Sequence, residues 1–316
     1  MKTWLFFHNQ DLDGHCSGAI LRYYHETILH LINGIDFKMI PMDYGIPFDD
    51  NLIKDGDTVI MGDITLSPPS RMIELNKRVN LFVYDHHKSI EPILNDNNIM
   101  GLYGDDNIAG CELCYINFIS ASIVPEWVRL LSIWDTWNDS NKYYWDKMVK
   151  PFQMGIRTFD TNPETDNGMS FWNWWLTLQN NKNETPTMNL LFKDRRVKDI
   201  IDIGNKIIKY QNKMNEELMN RSYDMKWEGL NWIVVNGFKG SPQFDSKWDN
   251  IKYDAMMSFY YNGDKSEWGI SLYTTKKDID LSIIASKWGG GGHPQACGFR
   301  INNINDIIDN KGDNIK

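Results

Sequence analysis

The sequence predicts an α/β protein: a parallel-sheet domain with helices on both faces, then a smaller α/β domain joined to it by a long helix. Three observations predict this. Residues 1–135 alternate short apolar runs with stretches of helical spacing. A single apolar stripe at the helical period runs through residues 193–221. From about residue 226 the pattern changes to short strands around one helix. The boundaries read as 1–190 for the first domain, 191–225 for the connecting helix and 226–316 for the second domain.

Residues 3–7 form the first strand, since a lone Lys2 and a short apolar run do not make a signal sequence. Ile20, Tyr24, Ile28 and Leu31 then lie on one helical face. Residues 37–41 and 58–61 read as the second and third strands. Ser67-Pro68 reads as a helix N-cap with proline at the first helical position, leading into Met72–Leu75. Residues 81–84 are the fourth strand, and helices cover 111–119 and 126–133. Residues 170–175 are aromatic and helical, and Asn180–Pro186 is polar and turn-like. Val197, Ile200, Ile201, Gly204, Ile207, Ile208 and Met214 define the long helix, roughly 40 Å at 1.5 Å per residue. In the second domain, strands cover 232–235, 255–261, 269–273 and 296–301, with a helix over 281–287.

The chain has 316 residues, an apolar fraction of 42% and a formal net charge of −9. The apolar fraction is ample for packed cores. The negative charge excludes a broad basic surface for long duplex nucleic acid. It leaves room for a small anionic substrate if bound cations supply local positive charge. No apolar run reaches the roughly 18 residues of a membrane helix. Four cysteines, Cys16, Cys111, Cys114 and Cys297, fit a reducing compartment, hence a cytoplasmic protein. Cys111 and Cys114 have C-x-x-C spacing, but no second such pair completes a zinc site, so both thiols are expected to pack. No feature specifies an oligomeric state.

The ionisable residues fall just past the predicted strands. Phe6-Phe7 run into His8, Asp11 and Asp13; residues 59–61 into Asp63; residues 81–84 into Asp85-His86-His87. Asp135 instead follows a helical stretch. In a parallel α/β sheet, side chains past the strand carboxyl ends share one crevice. Carboxylates crowded there repel each other and need cations. Carboxylates with imidazoles and no thiolate suit Mn²⁺ or Mg²⁺. Two such ions about 4 Å apart make a phosphoester-cleaving centre. Gly14 is expected to let the chain turn sharply into the first helix.

These motifs resemble the DHH phosphoesterase family with its DHH-associated C-terminal domain. The first family motif matches His8, Asp11, Asp13 and Gly14; the second Asp63; the third Asp85-His86-His87; the fourth Asp135. The glycine-His signature matches Gly290-Gly291-Gly292-His293 followed by Ala296-Cys297-Gly298. The order is that of the family, and the motifs span nearly the whole chain. Two departures stand out: only two residues separate His8 from Asp11, and Cys297 stands where a second alanine is common. The resemblance implies two Mn²⁺ ions, with Mg²⁺ or Co²⁺ as substitutes. One would be held by His8, Asp11 and Asp63, the other by Asp13, Asp63, His86 and Asp135, with Asp63 bridging. It implies that Asp85 orients a histidine and that His87 touches the phosphate or gives a proton to the leaving oxygen.

Gly289–Gly292 could form a nest of backbone N–H groups for a phosphate. Gly290, Gly291, Gly292, His293 and Arg300 are the expected substrate contacts. Arg157 is a weaker candidate, and Trp134, Trp137, Trp172, Trp174 and Trp175 could stack on bases, although helical aromatic stripes are more often core. His15, His25 and His30 read as structural or exposed. The function implied is Mn²⁺-dependent hydrolysis of short single-stranded oligonucleotides to nucleoside monophosphates, as an oligoribonuclease or short-substrate exonuclease. Cyclic dinucleotide hydrolysis and 3′-phosphoadenosine 5′-phosphate hydrolysis are the enzymic alternatives. A non-catalytic nucleotide-binding protein is the other.

Overall fold

The computed structural model describes residues 1–103, 107–177, 194–238 and 240–308. The chain divides into two units, Met1–Ile207 and Ile208–Lys316.

The first unit is built on a five-stranded, wholly parallel sheet, in the order β2-β1-β3-β4-β5. The strands are β1 (Thr3–His8), β2 (Phe37–Met42), β3 (Thr58–Gly62), β4 (Asn80–Asp85) and β5 (Met100–Tyr103). Side chains alternate faces along a strand, and the two cores show it. Leu5, Phe7, Ile60 and Tyr84 face one core with α1 (Leu12–Tyr23), α4 (Gly110–Phe118), α5 (Glu126–Asp135) and α8 (Asp166–Leu176). Trp4, Phe6, Val59, Met61, Leu81 and Val83 face the other with α2 (Ser70–Asn76) and α3 (Glu91–Asp96). Helices thus cover both faces, as a parallel sheet buried on both sides requires. A one-turn α6 (Lys142–Tyr144) and a π-helical turn, Trp145–Val149, run into α7 (Lys150–Ile156).

Three local expectations are corrected. The first helix ends at Tyr23 and passes into a π-helical turn, Tyr24–Ile28, so Ile28 is exposed rather than on a buried stripe, while Ile20 is buried and Leu31 packs partly buried against the core. The second helix begins at Ser70, not beside Ser67: Pro68 precedes Pro69, and a residue before proline is held out of the helical region. Gly14 lies inside the first turn of α1 rather than at a sharp bend. A side chain there would come within 2.1 Å of the His8 carbonyl oxygen, so the glycine serves close packing of helix against strand.

The long helix α9 (Arg195–Met219) carries the chain out of the first unit. Val197, Ile200 and Ile201 are buried in the first unit's core and Met219 in the second's. The polar stretch Asn180–Pro186 lies outside the described residues.

The second unit holds a six-stranded mixed sheet in the order β10-β11-β9-β8-β7-β6, in which only the β7–β8 pair is parallel. Its strands are β6 (Tyr223–Trp227), β7 (Leu230–Asn236), β8 (Ala255–Asn262), β9 (Glu267–Tyr273), β10 (Gly291–His293) and β11 (Ala296–Ile301). The larger core packs α10 (Ser282–Lys287) and α11 (Asn305–Ile308) on one face, with Trp232, Met257, Leu272 and Phe299. The glycine run is therefore less of a loop than expected. Gly291–His293 form a short strand paired to Ala296–Gly298. Among the described residues no helix is long and apolar enough to cross a membrane.

Candidate metal centre

Strand register builds the site. Phe7 pairs with Gly62 and Gly62 with Tyr84, so His8, Asp63 and Asp85 come side by side at the carboxyl edge of the sheet. Asp63 is a non-glycine residue with φ 57°, a sparsely populated conformation. Its amide donates to the Tyr84 carbonyl oxygen at 2.8 Å, which fixes the strand end. Asp11 caps α1, accepting from the Gly14 amide at 2.9 Å, and Asp13 follows in the first turn. Asp135 is the last residue of α5.

The acid and imidazole groups meet in a chain of contacts. His8 Nδ1 is 3.0 Å from Asp11 Oδ2 and 3.7 Å from Asp63 Oδ2. His86 Nε2 is 3.7 Å from Asp63 Oδ1 and 3.0 Å from Asp135 Oδ2. Two triplets, His8–Asp11–Asp63 and Asp13–His86–Asp135, each offer ligand atoms within 4.8 Å of one another. Asp63 touches both. Asp85 Oδ1 accepts from the His87 backbone amide at 3.1 Å and lies 2.6 Å from His87 Nδ1, so Asp85 orients His87 and leaves its Nε2 free of that contact.

Asp13 is seated by a feature the sequence did not advertise. The amides of Gly110 and Cys111, at the start of α4, donate to its two oxygens at 2.9 and 2.8 Å. The positive end of the helix faces a carboxylate. Gly110 makes the approach possible, since a Cβ there would lie 2.6 Å from Asp63 Cβ. Tyr44 was also missed: its ring stands 5.7 Å from the His8 ring, in a loop with no apolar pattern.

The electrostatics are those of a site built for cations. Burial, then the charges of Asp13 and Asp11, push the Asp63 carboxyl well above the usual range. Burial and the Asp135 charge raise Asp13 to about 6. The hydrogen bond with Asp11 raises His8. Burial pulls His86 down, but Asp135 and neighbouring carboxylates outweigh it and the net shift is upward. His87 is raised chiefly by its bond to Asp85. Asp63 Oδ1, Asp85 Oδ2 and His86 Nε2 are buried without a well-aligned hydrogen bond, although His86 Nε2 keeps its ion-pair contact with Asp135. Native proteins rarely leave such atoms unpaired. Divalent cations would satisfy the first and third and offset the carboxylate repulsion, and the oxygen–imidazole donor set fits Mn²⁺ or Mg²⁺.

The other predicted residues lie elsewhere. Gly290, Gly291, Gly292, His293 and Arg300 belong to the second unit. There Tyr260, Gly269, Ser271, Gly290 and Arg300 line a cavity of about 440 Å³. Arg300 pairs with Glu267 at 2.7 Å. Arg157 is exposed. Trp172 and Trp175 are core residues, whereas Trp137 and Trp174 are exposed. His15 bonds Thr161 Oγ1 and His25 the Leu21 carbonyl oxygen, while His30 is exposed. Cys111 and Cys114 are packed in the first unit's core.

No protein-family model matches this sequence. The uncharacterized protein R106 of Acanthamoeba polyphaga mimivirus is 24% identical over 317 residues, covering 95% of this chain and 68% of that protein. An exopolyphosphatase-related protein from Bacteroides fragilis is 13% identical and covers 95% of this chain and 87% of its own. Its TM-score is 0.44. The pGpG-specific phosphodiesterase PggH from Vibrio cholerae is 11% identical, with a TM-score of 0.50 over 97% of this chain and 95% of that one. The chain therefore shares an overall fold with a phosphodiesterase, around a cluster of carboxylates and imidazoles of its own.

Proposed function

We propose that this protein is a metal-dependent phosphodiesterase of the DHH family that hydrolyses short single-stranded oligonucleotides to nucleoside monophosphates. The observation that carries the reading is the convergence of His8, Asp11, Asp13, Asp63, His86 and Asp135 from separate segments into two triplets, with buried atoms left unpaired. His8, Asp11 and Asp63 would hold one ion. Asp13, Asp63, His86 and Asp135 would hold the second. Bound there, two divalent cations would supply Lewis-acid charge and lower the pKa of an attacking water.

The chain's own groups supply the rest. Asp63 holds the two triplets together through its contacts with His8 and His86. Asp85, buried and bonded to His87 Nδ1, fixes that imidazole and favours its protonated form, so that Nε2 can give a proton to the leaving oxygen. Gly290, Gly291, Gly292, His293 and Arg300 are assigned to substrate binding. The buried, unpaired cysteines fit work in the cytoplasm.

A net charge of −9 offers little to a long phosphate backbone, which favours small substrates. The fold shared with a pGpG-specific phosphodiesterase favours the dinucleotide end of that range. The test is a panel of labelled oligonucleotides and cyclic dinucleotides incubated with metal-stripped protein reloaded with Mn²⁺, Mg²⁺ or Co²⁺. Substrates of roughly two to five nucleotides should be cleaved much faster than those of about 20, with a shallow salt dependence. Equal efficiency on both would instead mark a single-strand exonuclease. Activity on cyclic dinucleotides alone would make them the substrate, and no cleavage with any metal would leave a binding protein.

A further inference from the structure

Two residues past Asp135 stands a tryptophan in a place that helices reserve for glycine. The Asn138 amide donates to the Ile133 carbonyl oxygen at 3.0 Å and the Trp137 amide to that of Trp134 at 3.1 Å. This is the paired-bond ending of a helix whose next residue is left-handed, and glycine is the usual occupant because it has no Cβ to clash. Here Trp137 takes that position with φ 52°. An aromatic residue in this conformation is strained, and such strain persists where the position has a use. The ring is not part of a core, for 66% of Trp137 is exposed. It is nonetheless held: its centroid lies 5.7 Å from that of Trp134 and 5.3 Å from that of Trp145, and those two rings stack on each other. A large aromatic surface, immobilised on one side and open on the other, follows directly from a residue of the acid cluster.

We infer that Trp137 is a specificity residue that stacks on a nucleobase of the substrate, so that the phosphate presented to the cluster must carry a base. The inference rests on the nucleotide phosphodiesterase reading above and narrows it: phosphoesters without a base are poor substrates. Base–aromatic stacking is sequence-tolerant, because every base has a π-face. No preference for one base is therefore expected from this contact.

The test separates binding from turnover. Calorimetric titration of the Mn²⁺-loaded protein with adenosine 5′-monophosphate and with ribose 5-phosphate compares the same phosphate with and without a base. Wild type should favour the nucleotide by roughly tenfold, the size of one stacking contact. Trp137→Ala should lose that preference while binding ribose 5-phosphate unchanged. Trp137→Phe should keep most of it. Trp137→Gly, which suits the helix ending, should fold and behave as the alanine variant does. Trp174→Ala removes the other exposed tryptophan of the unit, whose ring is covered by the Arg196 guanidinium, and should match wild type. With a diadenylate substrate, Trp137→Ala should raise KM about tenfold and leave kcat within about twofold.

An unchanged nucleotide preference in Trp137→Ala overturns the inference, as does a wild type that binds both ligands alike. Cleavage of diadenylate by wild type and Trp137→Ala with equal KM would also overturn it while leaving the phosphodiesterase reading intact. A wild type that cleaves no diester but loses its nucleotide preference in Trp137→Ala would have the opposite meaning.

Discussion

In the first unit, buried carboxylates and half-buried carboxylates and imidazoles crowd at one edge of a parallel sheet, and buried oxygens of Asp63 and Asp85 have no hydrogen-bond partner. In the second unit, four ion pairs are formed among the described residues, none of them fully buried: Lys252 with Asp224, Lys276 with Asp254, Lys287 with Glu228, Arg300 with Glu267. Such exposed pairs contribute little to stability, and their removal costs little. The first unit instead holds charge where the fold would be better off without it. A protein keeps such a site for what it binds, so the unit that is less content electrostatically is the one expected to do chemistry.

The strongest way to break this comparison is to remove the most strained charge. Asp63→Asn should cost at least about a thousandfold in activity, since both of the proposed ions would lose a ligand, against roughly ten- to a hundredfold for His8→Ala. The same variant should raise the melting temperature of the metal-free protein by a few degrees at neutral pH, because folding no longer has to protonate a carboxyl that the unfolded chain leaves ionised. Turnover assays and calorimetry check both. A metal-free variant less stable than wild type would show that Asp63 is a structural acid.

A smaller effect sharpens the contrast through pH. Asp63 and Asp13 are raised in the folded state, as are His8, His86 and His87. Groups raised on folding add stability below their unfolded pKa and lose it as pH climbs through the folded value. The metal-free first unit should therefore weaken as pH rises from the ordinary carboxyl value of 3.8 through about 6, where Asp13 titrates, and further above the ordinary imidazole value as the raised histidines lose their protons. In the second unit Asp224 and Asp254 are lowered, chiefly by their lysine partners, so their contribution is lost only in acid below the usual carboxylate range. Thermal unfolding of chelated protein should fall in temperature over that interval, and the gain on adding Mn²⁺ should grow. A gain independent of pH would count against carboxylates and imidazoles as the ligands.

The smallest expected effect lies in the second unit. A Cβ on Gly291 would meet nothing within 4 Å, so Gly291→Val should leave the melting temperature almost unchanged. If a phosphate approaches that backbone, KM for a dinucleotide should rise by about tenfold. An unaltered KM would reduce the glycine run to a hairpin strand.

The first unit was legible because fully buried parallel strands read as unbroken apolar runs, and charges just beyond them stand out. That logic reaches His8, Asp63 and Asp85 through strand ends. It does not reach Asp135, which ends a helix and was placed at a metal only by the family resemblance. Gly110 and Tyr44 were invisible because their roles are long-range contacts with no local pattern. The segment from Lys142 to Ile156 was also unreadable. Pro151 looks like a break, yet the π-helical turn Trp145–Val149 leads into it and the proline sits in the first turn of α7, where its missing N–H costs nothing. β10 was missed because glycine carries almost no strand signal.

The amides that hold Asp13 come from Gly110 and Cys111, 97 and 98 residues later in the chain. A nascent polypeptide can pair β1, β2, β3 and β4 before α4 exists, but Asp13 must then wait as an acid without its donors. The seat of Asp13 thus waits for α4, and the cluster as a whole for α5, which brings Asp135. Hydrogen exchange at those two amides should mark the moment when the pocket closes during refolding.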